Sequence, residues 1–557
     1  MKPHGGAIDA RRRALLAASA LAPLGALCGC DRPTGTAYGG AWVGASHERG
    51  HLVRAATADS KATYAPSVVH RTGAVVVGAG VAGLAAARAL IRGGVDDICV
   101  LDLEDQAGGN SRGHSLGGMR CPLGAHYLPL PGEQATEVIE LLDELRLRRL
   151  VAGRAVYDER MLCHSPQERL FIGGAWREGL LPPVDALPAS QRAATLAQYR
   201  RFSAAVAEVG RGGAFALPTA RSRWAPALDA LDATTFAAWL GEQGFDAPAL
   251  RWYLDYCCRD DYGAGAAQVS AWAGLHYFAS RHGFRDPGAD AGRGADAGEG
   301  VLTWPEGNAW LAGRLAAPLG ERLHPGFVVL RVHEERDSAT VDAWNVSAQR
   351  LERWTAPQVV MATPLFVAAR LLETPPAALV AASRAMRHAP WLVANLLVDR
   401  AIDDRPGAPP SWDNVFYGSP SLGYVDATHQ SLLPFAGPTV LTSYWALGGD
   451  SAEALGAGRA SLLADDWQRW SSRVVTELRT AHPDLPDKLR RVDLMRYGHA
   501  MSVPLPGVRS HPALRALAEP QRRVQFAHAD LSGYSVFEES LYHGTRAGRA
   551  ATAALAG

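Results

Sequence analysis

Val75-Val76-Val77-Gly78-Ala79-Gly80-Val81-Ala82-Gly83-Leu84 is the stretch from which the fold of this chain is read. Three consecutive valines suit a strand buried on both faces, as in a parallel sheet. The glycine-rich turn that follows leads into an apolar, alanine-rich helix, Leu84 to Leu90. Gly78 permits the turn, Gly80 lets a pyrophosphate approach the backbone, and Gly83 lets helix and strand pack closely. The helix start at Val81 and Ala82 offers that anion unpaired N–H groups and the positive end of a dipole.

A turn of this kind also occurs in ordinary α/β folds, so its surroundings decide the reading. A second apolar strand, Ile98-Cys99-Val100-Leu101, ends in Asp102. That acid lies about 20 residues beyond the turn, where a ribose-binding carboxylate belongs. Gln106-Ala107-Gly108-Gly109-Asn110 follows. NAD does not need this second glycine pair. It is typical of flavoproteins, whose loop after the acid passes close to FAD, so FAD is the expected cofactor, with Gly109 and Asn110 beside it.

At 557 residues the chain has room for two or three domains. Its formal net charge is zero, so nothing points to nucleic acid or to electrostatic membrane binding. Lysine is confined to Lys2, Lys61 and Lys488. Arg11-Arg12-Arg13 precede an apolar run, Ala14 to Ala26, that is shaped like a signal h-region and too short to span a membrane as a mature helix. Leu27-Cys28-Gly29-Cys30 resembles a lipobox with Cys30 as the lipidated residue, and the arginine pair suggests twin-arginine export. The expectation is an exported, periplasm-facing lipoprotein whose contact with membrane is the N-terminal anchor. A Sec signal with incidental cysteines is the alternative. Cys99, Cys121, Cys163, Cys257 and Cys258 remain, an odd number without metal-ligand spacing.

Composition divides the chain into an export signal (1–30), a glycine- and alanine-rich linker with some ordered packing (31–70) and a nucleotide-binding unit (71–130). Residues 131–300 carry helical windows, such as Pro188 to Val209 and Thr234 to Leu254, and read as a cap ending in a low-complexity loop, Asp286 to Gly300. Mixed structure returns over 301–365 and includes the buried strand Pro357 to Thr363. Residues 366–505 read as a β-rich substrate segment with a helix from Ser461 to Leu478. Residues 506–557 read as a closing strand and helix.

These pieces, in this order, resemble the flavin-containing amine oxidase superfamily over residues 72–552. The likeness rests on the glycine turn, Asp102 with Gly108-Gly109-Asn110, Leu123-Gly124-Ala125-His126-Tyr127, Trp304-Pro305-Glu306-Gly307-Asn308, Val359 to Pro364, and the C-terminal stretch Phe526 to Ala547. It implies an α/β fold in which a Rossmann-like FAD-binding domain is interleaved with an α+β substrate domain. The final helix should point its N-terminus at the flavin. Departures carry information too. Phe526-Ala527-His528-Ala529-Asp530 displaces the family's FAD-contacting acid, leaving Asp530 as its stand-in. Pro390 to Asn395 lacks the lysine that the family's amine oxidases link through water to flavin N5. Val536 stands where a cage tyrosine is usual, with Tyr534 nearby. Arg496-Tyr497-Gly498-His499-Ala500-Met501 resembles a stretch of bacterial spermidine-dehydrogenase-like proteins.

The resemblance implies hydride transfer from a C–H bond to flavin N5, next to an amine, with a polyamine as the more specific expectation. His499 and His126 are the candidate bases or orienting groups, and Tyr534 is a third catalytic candidate. The missing lysine favours a dehydrogenase passing electrons to a quinone or cytochrome. A flavin-dependent desaturase of a larger apolar molecule, and a flavoprotein without redox turnover, are the alternatives.

Overall fold

The computed structural model describes residues 38–58, 65–281, 283–286, 300–403, 405–431 and 437–557. The stretch expected to be an export signal, with Cys30, and also Lys61 and most of the low-complexity loop therefore lie outside the described residues.

Ala74–Val77 is the central strand of a five-stranded parallel sheet, and all four of its residues are buried. Ile98–Asp102 flanks it on one side, with Leu323–Pro325 beyond, and Gln358–Met361 on the other, with Val524–Phe526 beyond. Alternate residues serve opposite faces. Ala74 and Val76 pack under the helix Val81–Arg92 and the final helix Phe537–Ala556. Val75 and Val77 pack against a meander of Phe327–Glu334, Ala339–Asn345 and Arg350–Ala356. Helices therefore cover one face and a second sheet the other, which is why the strand is apolar throughout.

The substrate part is built on an eight-stranded sheet. Its order is Gly39–Trp42, Leu489–Val503, Arg387–Val398, Thr439–Ala446, Tyr424–Asp426, Asp413–Phe416, Glu168–Ile172, Ala175–Glu178. One face packs against the helices Ala189–Val209, Phe236–Glu242, Pro248–Tyr262 and Ala271–Ala279; the other packs against Trp467–Leu478. Two long helical windows of the sequence are each divided. Ser461 to Leu478 breaks at Asp465–Asp466, where the Asp466 carboxylate accepts the Arg469 N–H and starts a new helix. Thr234 to Leu254 breaks around Gly244, whose φ is +67°.

The segment read as a linker contributes structure at both ends. Gly39–Trp42 pairs in parallel with Arg491 to Leu494 at the edge of the large sheet. His47–Ala58 is a helix, and Val68–Arg71 closes the meander. Among the described residues, no helix is long and apolar enough to cross a membrane.

Candidate active site

Two glycine turns meet at the carboxyl end of the parallel sheet. Gly78 has φ +102°, and a Cβ on Gly83 would lie 1.8 Å from the Gly78 carbonyl oxygen, so only glycine fits there. The Gly108 N–H donates to the Ala79 carbonyl at 2.8 Å, bringing Gly109 (φ +57°) against Gly80. Asp102 fastens the arrangement: its Oδ2 accepts the Ala79 N–H at 2.6 Å and its Oδ1 the Glu104 N–H at 2.8 Å. Burial raises the pKa of this carboxyl. The helix beginning at Val81 has neither a side-chain cap nor an acid in its first turn. Its free N–H groups, with glycine backbone on both approaches, fit the pyrophosphate of a dinucleotide.

Next to these turns is a cavity of about 150 Å³. Asn110 and the Gly124–Tyr127 loop form one wall, and Trp391, Val393, Tyr444 and Tyr497 of the large sheet form another. Ser535 to Glu538, at the uncapped start of the final helix, close a third side. Close packing of the two helices brings that start here. A Cβ on Gly544 would fall 2.1 Å from the Ala82 carbonyl oxygen, and one on Gly548 2.5 Å from that of Ala86. Four buried polar atoms of residues lining the cavity have no hydrogen-bond partner: Asn308 Oδ1, Trp391 Nε1, Arg281 Nε and Asp261 Oδ2, the last of them ion-paired with Arg281.

His126 lies on the cavity, its ring stacked 4.4 Å from Tyr444 and tilted against Trp412 at 5.4 Å. Surrounding protein lowers its pKa to about 3, so the imidazole is neutral. Asp260, Asp261, Arg281 and Glu538 gather at the same cavity. The Arg281 guanidinium pairs with Asp261 at 2.9 Å. Burial, reinforced by the neighbouring Asp261, pushes Asp260 up to about 7. Burial also lifts Glu538 to about 7 although Arg281 pulls it down. The Tyr127 hydroxyl donates to Asp260 at 3.4 Å.

Of the residues singled out from the sequence, Gly78, Gly80, Val81, Ala82, Gly83, Asp102 and Gly109 meet at the turns. Asn110, His126 and Val536 line the cavity. Three others do not belong to it. His499 sits on a bulge: Ala389 pairs with Met501 but Trp391 with Tyr497, so the strand Leu489–Val503 carries two extra residues here. Arg459 holds the bulge by donating to the Gly498 and His388 carbonyls. His499 is thereby turned outward, exposed against Phe366, while Ala500 and Met501 face the cavity. Tyr534 is buried behind the site, where its hydroxyl donates to Glu539 at 2.9 Å and its ring meets Tyr262. Asp530 is also fully enclosed. It accepts the Leu365 N–H at 2.9 Å and lies 3.1 Å from His388 Nε2, so its carboxylate ties protein segments together instead of reaching a cofactor chain.

Arg281, Asn308 and Trp391 were not picked out from the sequence, and Glu538 was marked there only by its matching position in the final helix, not as a site residue. Asn308 belongs to a quoted motif, and Trp391 to the segment inspected for lysine. Glu538 has the outward signature of an ordinary acid in a first helical turn. Nothing local marks Arg281. Lys488 pairs with Asp403 at 2.5 Å and Asp484 at 2.7 Å, remote from the cavity.

Residues 81–552 match the model of the flavin containing amine oxidoreductase family. The chain belongs to that family. Among curated proteins, this amine oxidoreductase is similar to putrescine oxidase from Kocuria rosea, 29% identical over 182 residues, which are 31% of this chain and 32% of that one. It is also similar to polyamine oxidase 7 from Oryza sativa subsp. japonica, 28% identical over 110 residues, 18% and 23% of the two chains. These alignments span a third or less of either relative. A solved putrescine oxidase structure matches with a TM-score of 0.62 at 17% identity, covering 87% of this chain and 100% of that one, a likeness of fold. The protein is an FAD-dependent, amine oxidase-like oxidoreductase, and the geometry of its paired glycine turns fits a dinucleotide.

Proposed function

We propose that the enzyme oxidises a cationic amine, with polyamines the first class to test, at the carbon next to nitrogen. The observation that carries this reading is the charge of the cavity: Asp260, Asp261 and Glu538 face Arg281. Fully ionised, these groups leave an excess of two negative charges, and aromatic walls complete a surface suited to ammonium groups. A large apolar substrate would bring no positive charge to Asp260 and Glu538, the two carboxyls beyond the Arg281–Asp261 pair, which disfavours the desaturase reading.

Bound flavin would supply the acceptor for a hydride leaving that carbon, and the nitrogen beside it must be neutral for this, so the ammonium held by the carboxylates is another nitrogen of the polyamine. The chain's own residues bind and orient. Asp260 and Glu538 release protons as an ammonium group settles between them. His126, being neutral, offers a lone pair to a substrate N–H. Asn308 Oδ1 and Trp391 Nε1 provide one free acceptor and one free donor. Among the described residues no lysine lines the cavity, and we assign the electrons to a quinone or cytochrome acceptor. The export signal and Cys30 would place this turnover outside the cytoplasm, with the protein anchored by lipid.

Anaerobic titration of the purified protein with spermidine and putrescine, followed by flavin absorbance, tests the proposal. Bleaching in proportion to added amine is expected. An oxidised spectrum unchanged by either compound would remove polyamines from consideration.

A further inference from the structure

A second cavity, about 380 Å³ in volume, lies on the face of the eight-stranded sheet turned away from the active site. Side-chain alternation separates the two. Val415, Val425 and Tyr444 pack on the active-site side, whereas Phe416, Tyr424 and Leu441 pack with Trp176 on the other. The second cavity lies in the size range of small-molecule sites.

Arg169 lines it and is only 4% exposed. Its guanidinium carbon lies 4.0 Å from the centre of the Trp176 ring. Nε donates to Asn414 Oδ1 at 2.5 Å, one terminal nitrogen to the Ala408 carbonyl at 3.2 Å, and the other to the Tyr424 hydroxyl at 3.5 Å. Every one of these partners is neutral, and among the described residues no carboxylate lies within ion-pair distance. A buried cation without a counter-charge is costly, and proteins ordinarily pair such groups.

The surrounding donors are incomplete in the same sense. The Tyr424 hydroxyl lies 2.7 Å from His482 Nε2. Because guanidinium is only a donor, the phenol accepts from Arg169 and gives its own proton to Nε2. His482 then keeps its proton on Nδ1. Burial, helped by Arg169, holds the ring neutral, with a pKa lowered to about 3. His482 Nδ1, Trp176 Nε1 and Arg405 Nε are all buried without a hydrogen-bond partner, and all three residues line this cavity. His482 and Trp176 are 2% and 0% exposed. The two acids of the same wall are already engaged. Asp426 accepts from Thr428 and Thr439, and Asp403 pairs with Lys488.

We infer that this cavity is a binding site for a small molecule bearing an oxyanion, phosphate or carboxylate, held by Arg169, His482 Nδ1–H and Trp176 Nε1–H. Unpartnered donors around a buried cation that has no direct ion pair suit an acceptor-rich negative group, and the terminal guanidinium nitrogens each keep an N–H to offer it. The site is separate from the amine cavity and does not depend on the amine reading.

Isothermal titration and thermal melts of the FAD-loaded protein with inorganic phosphate and with citrate, at constant ionic strength set by chloride, test the inference. Saturable binding and a melting temperature raised by about 2 °C or more are expected with at least one anion. Phosphate alone would identify a phosphate-bearing ligand, and citrate alone a carboxylate. Arg169→Met should abolish binding. Trp176→Phe, which keeps the ring and removes only the N–H, should weaken it at least tenfold and serves as the deciding variant if Arg169→Met fails to fold. Absence of saturation by either anion in the unaltered protein, or undiminished binding in Trp176→Phe, would overturn the assignment.

Discussion

Asp260 carries the most directly testable chemistry of any single residue. A free aspartate titrates at about 3.9, and burial beside Asp261 raises Asp260 to about 7. The folded state therefore binds the proton more tightly, and this residue's contribution to stability falls as pH rises from about 4 to about 7. Amine binding follows the opposite sign, because an ammonium group is attracted to the ionised carboxylate. Affinity for a polyamine should rise with pH up to about 7 and then level off. Asp260→Asn should weaken binding by roughly 10-fold or more at pH 8. It should also reduce the difference between pH 6 and pH 8, leaving the part due to Glu538, which titrates in the same range, as measured by calorimetric titration under anaerobic conditions. Equal affinity at both pH values in the unaltered protein would rule out this role. At the same scale, the glycine turn was legible in the sequence because close backbone approach demands glycine at fixed offsets. His499 and Tyr534 were not, because a bulge and a buried carboxylate decide where their side chains point.

Among the elements, the N-terminal segment is the least obvious from sequence and ties the most parts together. Its strand Gly39–Trp42 joins the substrate sheet through partners some 450 positions later in the chain, a pairing that no local pattern announces. Trp42 stacks on Arg496, and the Ser46 N–H donates to Glu104. Arg49 donates to the Leu103 carbonyl and to Asp105, both at 2.8 Å. The loop it grips directly follows Asp102, and Glu104 in turn lies 3.6 Å from Arg112, which donates to the Gly109 carbonyl. The segment thus steadies the second glycine turn from outside. Arg49→Ala should speed FAD release several-fold, measured by flavin fluorescence on dilution. It should cost only about 1 kcal/mol or less of global stability, since Asp105 is exposed. An unchanged release rate would mean that the loop holds its shape unaided. By contrast, the valine strand and final helix were plain in the sequence, since continuous apolar burial and small-residue packing leave compositional traces.

At the scale of the whole molecule, the two sheets are each assembled from distant parts of the chain, and the amine cavity lies where they meet. FAD seated on the glycine turns would tie these parts together, and any ligand that binds only the folded state adds stability by mass action. Removing FAD should lower the melting temperature, and returning it at about 100 times its Kd should restore about 2.7 kcal/mol. Scanning calorimetry of stripped and reloaded protein measures this, and coincident melting curves would show that the cofactor is not part of the folded core.

The residue string by itself determined the dinucleotide turn, the buried parallel strands, the family and the cofactor. These depend on short-range requirements: glycine where backbones must touch, apolar runs where both faces are covered, and an acid at a set distance from the turn. The tertiary structure alone decided which charged groups share the cavity. Asp260 and Asp261 end one helix, Arg281 follows another, and Glu538 begins the last, nearly 280 residues from Asp260. Whether such groups meet, and how far burial moves their protons, depends on long-range packing and on the exclusion of water, neither of which is encoded at any one position.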